Sequence, residues 1–280
     1  MYGAMLGDMI GAPYEFISGM KTKDFPLFTE TTDFTDDTVM TFAIFEGILA
    51  AGADIYENAS EETIKKSITE TCQKWGRAYP DAGYGGRFIQ WLFMTSPEPY
   101  NSFGNGSAMR VSSVGWLYKT LEKTREVARW TAEITHNHPE GIKGAESVAS
   151  AIWMAREGYT KKDIKNYIEK EFSYNLDQTY DQIRPKYSFD VTCQGSVPQS
   201  IIAFLEGKDF EDTIRNAVSL GGDSDTQGAI AGSIAEAYFG IPENLKQECR
   251  DYMTEEMVEL MNKFDKIKYE RKINQNKQNK

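Results

Sequence analysis

Cysteine and histidine are scarce in this 280-residue chain, which has Cys72, Cys193 and Cys249 and only His136 and His138. The cysteines are odd in number, far apart and without CxxC or Cys/His spacing, which argues against a disulfide framework and a zinc site. A reducing, cytoplasmic setting is expected. Two residues apart, the histidines face different sides of any helix and make poor joint metal ligands. Long apolar runs are missing too. Val39-Met40-Thr41-Phe42-Ala43-Ile44-Phe45 is soon broken by charge, and the N-terminus lacks a basic segment followed by a long apolar one. Neither a membrane span nor a leader peptide is expected. Alternating strand patterns and hairpin dipeptides are few, and no fixed-period repeat or Pro/Gly/Ser-rich linker divides the chain.

Positive charge is in deficit. The formal net charge is -11, yet residues 263–280 carry seven Lys/Arg against two Asp/Glu, so residues 1–262 stand at 24 minus 40, or -16. Such a body repels nucleic-acid phosphates. The segment 263–280 is set apart as a basic, polar tail, expected to be solvated.

What is abundant is helical periodicity. It marks Asp37 to Ala51, Glu61 to Ala78, Ser107 to Thr120, Glu122 to Thr135, Gly141 to Glu157, Asp209 to Leu220, Ser224 to Phe239 and Asp251 to Ile267. With 40% hydrophobic residues and no linker, the expectation is one all-α domain over residues 1–262. The long irregular segment Phe172 to Gly195 is rich in Tyr and Asp. Other irregular stretches sit beside polar or glycine motifs that precede helices, where function is expected.

Two motifs concentrate acid beside a hydroxyl at a helix entrance. In Gly221-Gly222-Asp223-Ser224-Asp225-Thr226, the two carboxylates would lie roughly 200° apart on a helix, so they converge only if the backbone turns, and the paired glycines permit that. The small residues Gly228, Ala229, Ala231 and Gly232 that follow would let another backbone come close. Thr35-Asp36-Asp37-Thr38 repeats the pattern. Taken singly, each motif is equally an ordinary capped helix start. Together, four carboxylates and two threonine oxygens form a hard, all-oxygen set suited to Mg²⁺ or Mn²⁺, with charge enough for two ions. A terpenoid-synthase reading, which also pairs aspartates around Mg²⁺, fails because Thr35-Asp36-Asp37-Thr38-Val39-Met40 lacks the further acid of a DDxxD pattern.

Five motifs in order carry a resemblance over most of the chain. They are Gly7-Asp8-Met9-Ile10-Gly11 with Glu15, Thr35-Asp36-Asp37-Thr38, Ser102-Phe103-Gly104-Asn105-Gly106-Ser107-Ala108-Met109-Arg110, Thr135-His136 to Gly141, and Gly222-Asp223-Ser224-Asp225-Thr226. The set resembles the ADP-ribosylglycohydrolase family, whose members release ADP-ribose from modified arginine, serine or dinitrogenase reductase. The resemblance implies a single-domain, all-α orthogonal helical bundle with a central cleft holding two Mg²⁺ or Mn²⁺. It makes Thr35, Asp36, Asp37, Asp223, Asp225 and Thr226 the metal ligands, with Asp225 bridging both ions, and Glu15, Asp36 and Asp225 the catalytic carboxylates. It assigns Ser102, Gly104, Asn105 and Gly106 to the ADP-ribose phosphates, Phe103 to the adenine ring and His136 to the diphosphate. The competing reading of Phe103 is a buried core side chain.

The implied reaction is hydrolysis of an N- or O-glycosidic bond at ribose C1″ of an ADP-ribosylated protein or small molecule. The alternative is a non-catalytic ADP-ribose-binding or crystallin-like member. A monomer is expected.

Overall fold

The computed structural model describes residues 1–17, 20–52 and 59–278. Its helices in chain order are α1 (Tyr2–Gly11), α2 (Asp36–Ala50), α3 (Glu61–Ala78), α4 (Gly86–Leu92), α5 (Gly106–Met109), α6 (Ser112–Leu117), α7 (Leu121–Glu133) and α8 (Pro139–Arg156). They continue with α9 (Lys161–Phe172), α10 (Tyr180–Ile183), α11 (Cys193–Glu206), α12 (Phe210–Val218), α13 (Ser224–Phe239), α14 (Glu243–Asp251) and α15 (Glu255–Gln278). Among the described residues there is no strand, only an isolated antiparallel bridge between Gly104 and Thr192. The all-α, single-domain expectation holds.

The helices at the centre are apolar nearly all round, as burial on every side requires. All ten residues of α1 are buried, as is Ser224–Glu236 of α13. These two helices run antiparallel in close contact, with α5, α8, α11 and α12 also packed against α13. The seam is made of glycine. A Cβ added to Gly3 would lie 2.0 Å from the Gly232 carbonyl oxygen, and one on Gly7 would lie 2.0 Å from that of Gly228. The glycines recur every four residues, so each helix presents a bare backbone stripe to the other. This is the close approach expected of the Gly228 to Gly232 run.

The antiparallel seam sets the C-terminal end of α1 beside the N-terminal end of α13. The start of α2 is tied to the same place by Asp8 of α1, whose carboxylate accepts from the Thr35 and Thr38 N–H groups, each at 3.0 Å, and from the Thr35 hydroxyl at 2.7 Å. Three helix ends therefore meet around one cleft.

Ser107 to Thr120, expected as one helix, is broken between α5 and α6. There Arg110 turns inward, 1% exposed, and its guanidinium donates to the Thr131 carbonyl and the Thr135 hydroxyl. Helix α15 runs on past residue 263 without a break. Phe264 is fully buried, and the Arg271 guanidinium donates to the carbonyls of Trp116 and Tyr118 at 2.6 and 2.8 Å. No helix among the described residues is long and apolar enough to cross a membrane.

Candidate active site

A cavity of about 480 Å³ opens over the meeting point of α1, α2 and α13. Thr35, Asp36, Asp37, Asp223, Asp225 and Thr226 all line it, together with Glu15, Ser102, Gly104, Asn105, Gly106 and His136. Every site residue expected from the sequence reaches this one space except Phe103.

The capping alternative for the acids fails on inspection. Thr35 is the N-cap of α2, its hydroxyl accepting from the Asp37 N–H, so Asp36 and Asp37 are not needed there. Asp223 occupies the N-cap position of α13 but makes no side-chain capping bond, and Asp225 lies inside the first turn. The backbone turn comes from Gly221 and Gly222, with φ of 71° and 101°. Those values suit glycine and disfavour any residue with a Cβ.

Two carboxylate triads result, Asp8/Asp37/Asp225 and Glu15/Asp223/Asp225, in each of which one oxygen from every residue lies within 4.8 Å of the others. Asp225 belongs to both. Asp36 lines the cavity outside either triad, and Asp8, absent from the expected ligand set, completes the first. A signal for it existed: Asp8 is the only charged residue in an otherwise apolar helix. Opposite ends of the chain are joined here as well, since the Thr226 hydroxyl donates to Asp37 Oδ2 at 3.3 Å.

The electrostatics of this crowd are adverse. Burial, followed by the charges of Asp8 and Asp223, pushes Asp36 up to about 8. Burial and the same two neighbours bring Glu15 to about 7. Asp37 and Asp225 are driven well above the ordinary carboxylate range, by burial first and then by their acidic neighbours. Asp8 is raised by burial against the hydrogen bonds it accepts from Thr38 and Thr35. Asp37 Oδ1 is buried with no hydrogen-bond partner among the described residues, a costly condition for a carboxylate oxygen. An all-oxygen set with an orphaned buried acceptor and unneutralised charge fits a hard divalent cation.

The far side of the cavity is built differently. The Asn105 amide donates to Asp223 Oδ2 at 2.7 Å and to the Ser196 hydroxyl at 3.1 Å, so this side chain braces the acidic cluster rather than facing a phosphate. In the same loop, the Gly104 N–H donates to Ser102 Oγ and the Asn105 N–H to the Val191 carbonyl. His136 is buried, and burial followed by the Arg110 charge holds its imidazole well below the ordinary histidine range. Phe103 is 45% exposed, its ring 5.3 Å from that of His138, so it is not a core residue. His138 caps α8, its Nδ1 accepting from the Glu140 N–H. Arg87, Tyr100, Phe16 and Phe189 also line the cavity and were not foreseen.

Comparison with known proteins agrees. The family model described as ADP-ribosylglycohydrolase matches residues 1–274. The chain is 26% identical to mouse (Mus musculus) ADP-ribosylhydrolase ARH3, over 89% of this chain and 86% of the relative. It is 25% identical to ADP-ribosyl-[dinitrogen reductase] glycohydrolase of Rhodospirillum rubrum, over 85% and 84%. A solved structure titled ADP-ribosylglycohydrolase-related protein complex superposes with a TM-score of 0.68 at 23% identity, covering 89% of this chain and 92% of that one. With the family model spanning nearly the whole chain over an acidic cleft of this construction, the protein belongs to the ADP-ribosylglycohydrolase family and is a hydrolase.

Proposed function

We propose that this protein cleaves the N- or O-glycosidic bond at ribose C1″ of an ADP-ribosylated protein or small molecule, releasing ADP-ribose, with two Mg²⁺ or Mn²⁺ held by the acidic triads. The observation that carries this reading is the pair of triads sharing Asp225 beside the orphaned Asp37 Oδ1. Asp8, Asp37 and Asp225 would hold one ion, and Glu15, Asp223 and Asp225 the other, with Thr35, Thr226 and Asp36 as neighbouring oxygen donors. Divalent ions there supply positive charge and Lewis acidity toward the ribose hydroxyls.

The remaining work falls to the chain itself. Glu15, half-buried at the mouth of the second triad, faces the same space as both triads, where its carboxylate can accept a proton from an attacking water, as a general base at the reacting carbon requires. The N–H groups of Gly106 and Ser107 open α5 beside His136 and offer donors to a diphosphate. Exposed Phe103 is free to stack on adenine at the edge of the cleft. Three free, buried cysteines accord with a reducing cytoplasm.

The test is a panel of ADP-ribosylated arginine, serine, nucleobase and small-molecule substrates, assayed for free ADP-ribose with Mg²⁺, with Mn²⁺ and with chelator. Metal-dependent release from at least one substrate is expected. No release from any of them, with metal saturating, would remove the proposal.

A further inference from the structure

Behind the glycine loop, buried Arg110 is linked to His136 through one hydroxyl. Its Nη2 donates to Thr135 Oγ1 at 2.8 Å, and the same oxygen lies 2.7 Å from His136 Nδ1. Arg110, Thr135 and His136 are all buried, and no carboxylate pairs with the guanidinium among the described residues.

Counting protons fixes the direction of each bond. A guanidinium only donates, so Thr135 Oγ1 is the acceptor from Arg110 and keeps one hydrogen to give. His136 Nδ1 is the only other partner of that hydroxyl among the described residues. Were Nδ1 protonated, the buried threonine hydrogen would have no acceptor, a loss comparable to a whole hydrogen bond. The low-cost arrangement is Arg110 to Thr135 to Nδ1, with the imidazole proton on Nε2. That nitrogen sits at the loop: a Cβ on Gly106 would lie 3.1 Å from it, and one on Gly104 3.6 Å.

We propose that Arg110 and Thr135 are positioning residues that lock His136 as the neutral Nε2–H tautomer, so that it presents a fixed donor to an anionic phosphate at the glycine loop. The tautomer follows from geometry alone; the identity of the anion rests on the ADP-ribose reading above. The groups facing the ring, Arg110 and Tyr100, reinforce the neutral form, since a second cation beside the guanidinium is disfavoured and the Tyr100 ring, 6.1 Å away, brings no negative charge at neutral pH.

With only two histidines, the experiment is clean. In full-length protein labelled with ¹⁵N-histidine, ring-nitrogen NMR identifies each signal by comparison with His138→Gln. His136 should show the Nε2–H pattern unchanged between about pH 5 and 8, where an unperturbed histidine changes charge. Thr135→Val should abolish that bias while Thr135→Ser keeps it. ADP-ribose and inorganic pyrophosphate should shift the His136 Nε2 signal, and Thr135→Val should weaken ADP-ribose binding roughly tenfold or more, as expected for a misplaced donor to a charged group. An Nδ1–H pattern, titration of His136 in that range, or a Thr135→Val spectrum like wild type would overturn the lock. ADP-ribose binding by calorimetry without movement of the His136 signal would overturn its donor role. If ADP-ribose does not bind at all, the functional reading fails instead, and the ligand-free spectrum still decides the tautomer.

Discussion

Asp225 is the residue on which both triads depend, and its chemistry is separable from its shape. Asn at this position keeps an acceptor for the Thr226 N–H, which Asp225 Oδ1 now satisfies at 2.8 Å, but removes a charge from a crowd that has too many. Asp225→Asn should therefore lose at least roughly 10²-fold in turnover, the scale of deleting a well-placed electrostatic group. Its melting temperature without metal should rise, because like-charge repulsion is relieved. Steady-state kinetics and thermal melts in chelator check both halves, and near-normal turnover would rule out the metal assignment. Phe103 offers a different separation. Being exposed, it contributes little to the core, so Phe103→Ala should leave stability unchanged. It should weaken ADP-ribose binding by roughly 1–3 kcal/mol while sparing ribose-5-phosphate, which has no base to stack. Calorimetry with both ligands decides it; equal losses would deny the stacking role.

Among the helices, the α1 to α13 seam is the least forgiving contact. A methyl group on Gly228 would come within 2.3 Å of the Gly7 carbonyl oxygen, backbone that cannot rotate away. Gly228→Ala should cost about 1–3 kcal/mol as an overpacked contact, and by forcing the helices apart it should move Asp225 relative to Asp8 and Glu15. A weaker stabilising response to metal, beyond the lowered melting temperature, is the signature of that second effect.

Helices α3 and α13 begin and end where periodicity and start signals place them, at Glu61–Ala78 and Ser224–Phe239. Ser60 shows why: its hydroxyl accepts from the Thr63 N–H before a strongly one-sided helix. Less was legible where one face does not differ from the other. Helix α1 is apolar all round, so no stripe announces it, and α11 contains Pro198, a residue that ordinarily argues against a helix interior. In the cleft, the hydroxyl-acid pairs could be read because they lie next to one another in sequence. Asp8 reads from sequence as part of a motif but not as the brace of the α2 start, and Asn105 reads as a phosphate residue rather than as the brace of Asp223, because both of these contacts depend on tertiary partners, Thr35 and Thr38 for one and Asp223 for the other.

At the scale of the whole molecule, the cleft ties residues from the first helix to residues more than two hundred positions later, so its charge state bears on global stability. In the metal-free protein the direction of the pH effect is set by the raised carboxylates. Asp36 moves from an ordinary 3.8 to about 8, and Glu15 from 4.5 to about 7. Between the ordinary and the raised values the folded state binds more protons than the unfolded one, so stability must fall as pH rises. It is fully present below about pH 4 as far as these groups are concerned, and it is lost through the window ending near pH 8. Divalent metal should reverse the trend by replacing protons as the neutralising charge, since its ligands are needed deprotonated. A metal that binds only the folded state adds about 2.7 kcal/mol at a hundredfold excess over Kd for one site, roughly 5 °C in a domain of this size. The expected result is a melting temperature that declines from pH 5.5 to pH 8.5 in chelator and recovers at the alkaline end with Mg²⁺ or Mn²⁺. Sodium at matched ionic strength controls for general screening of an acidic body. If chelated protein is as stable at the alkaline end as at the acidic one, or sodium restores it as fully as magnesium, the carboxylates are not crowded in the way the cleft implies.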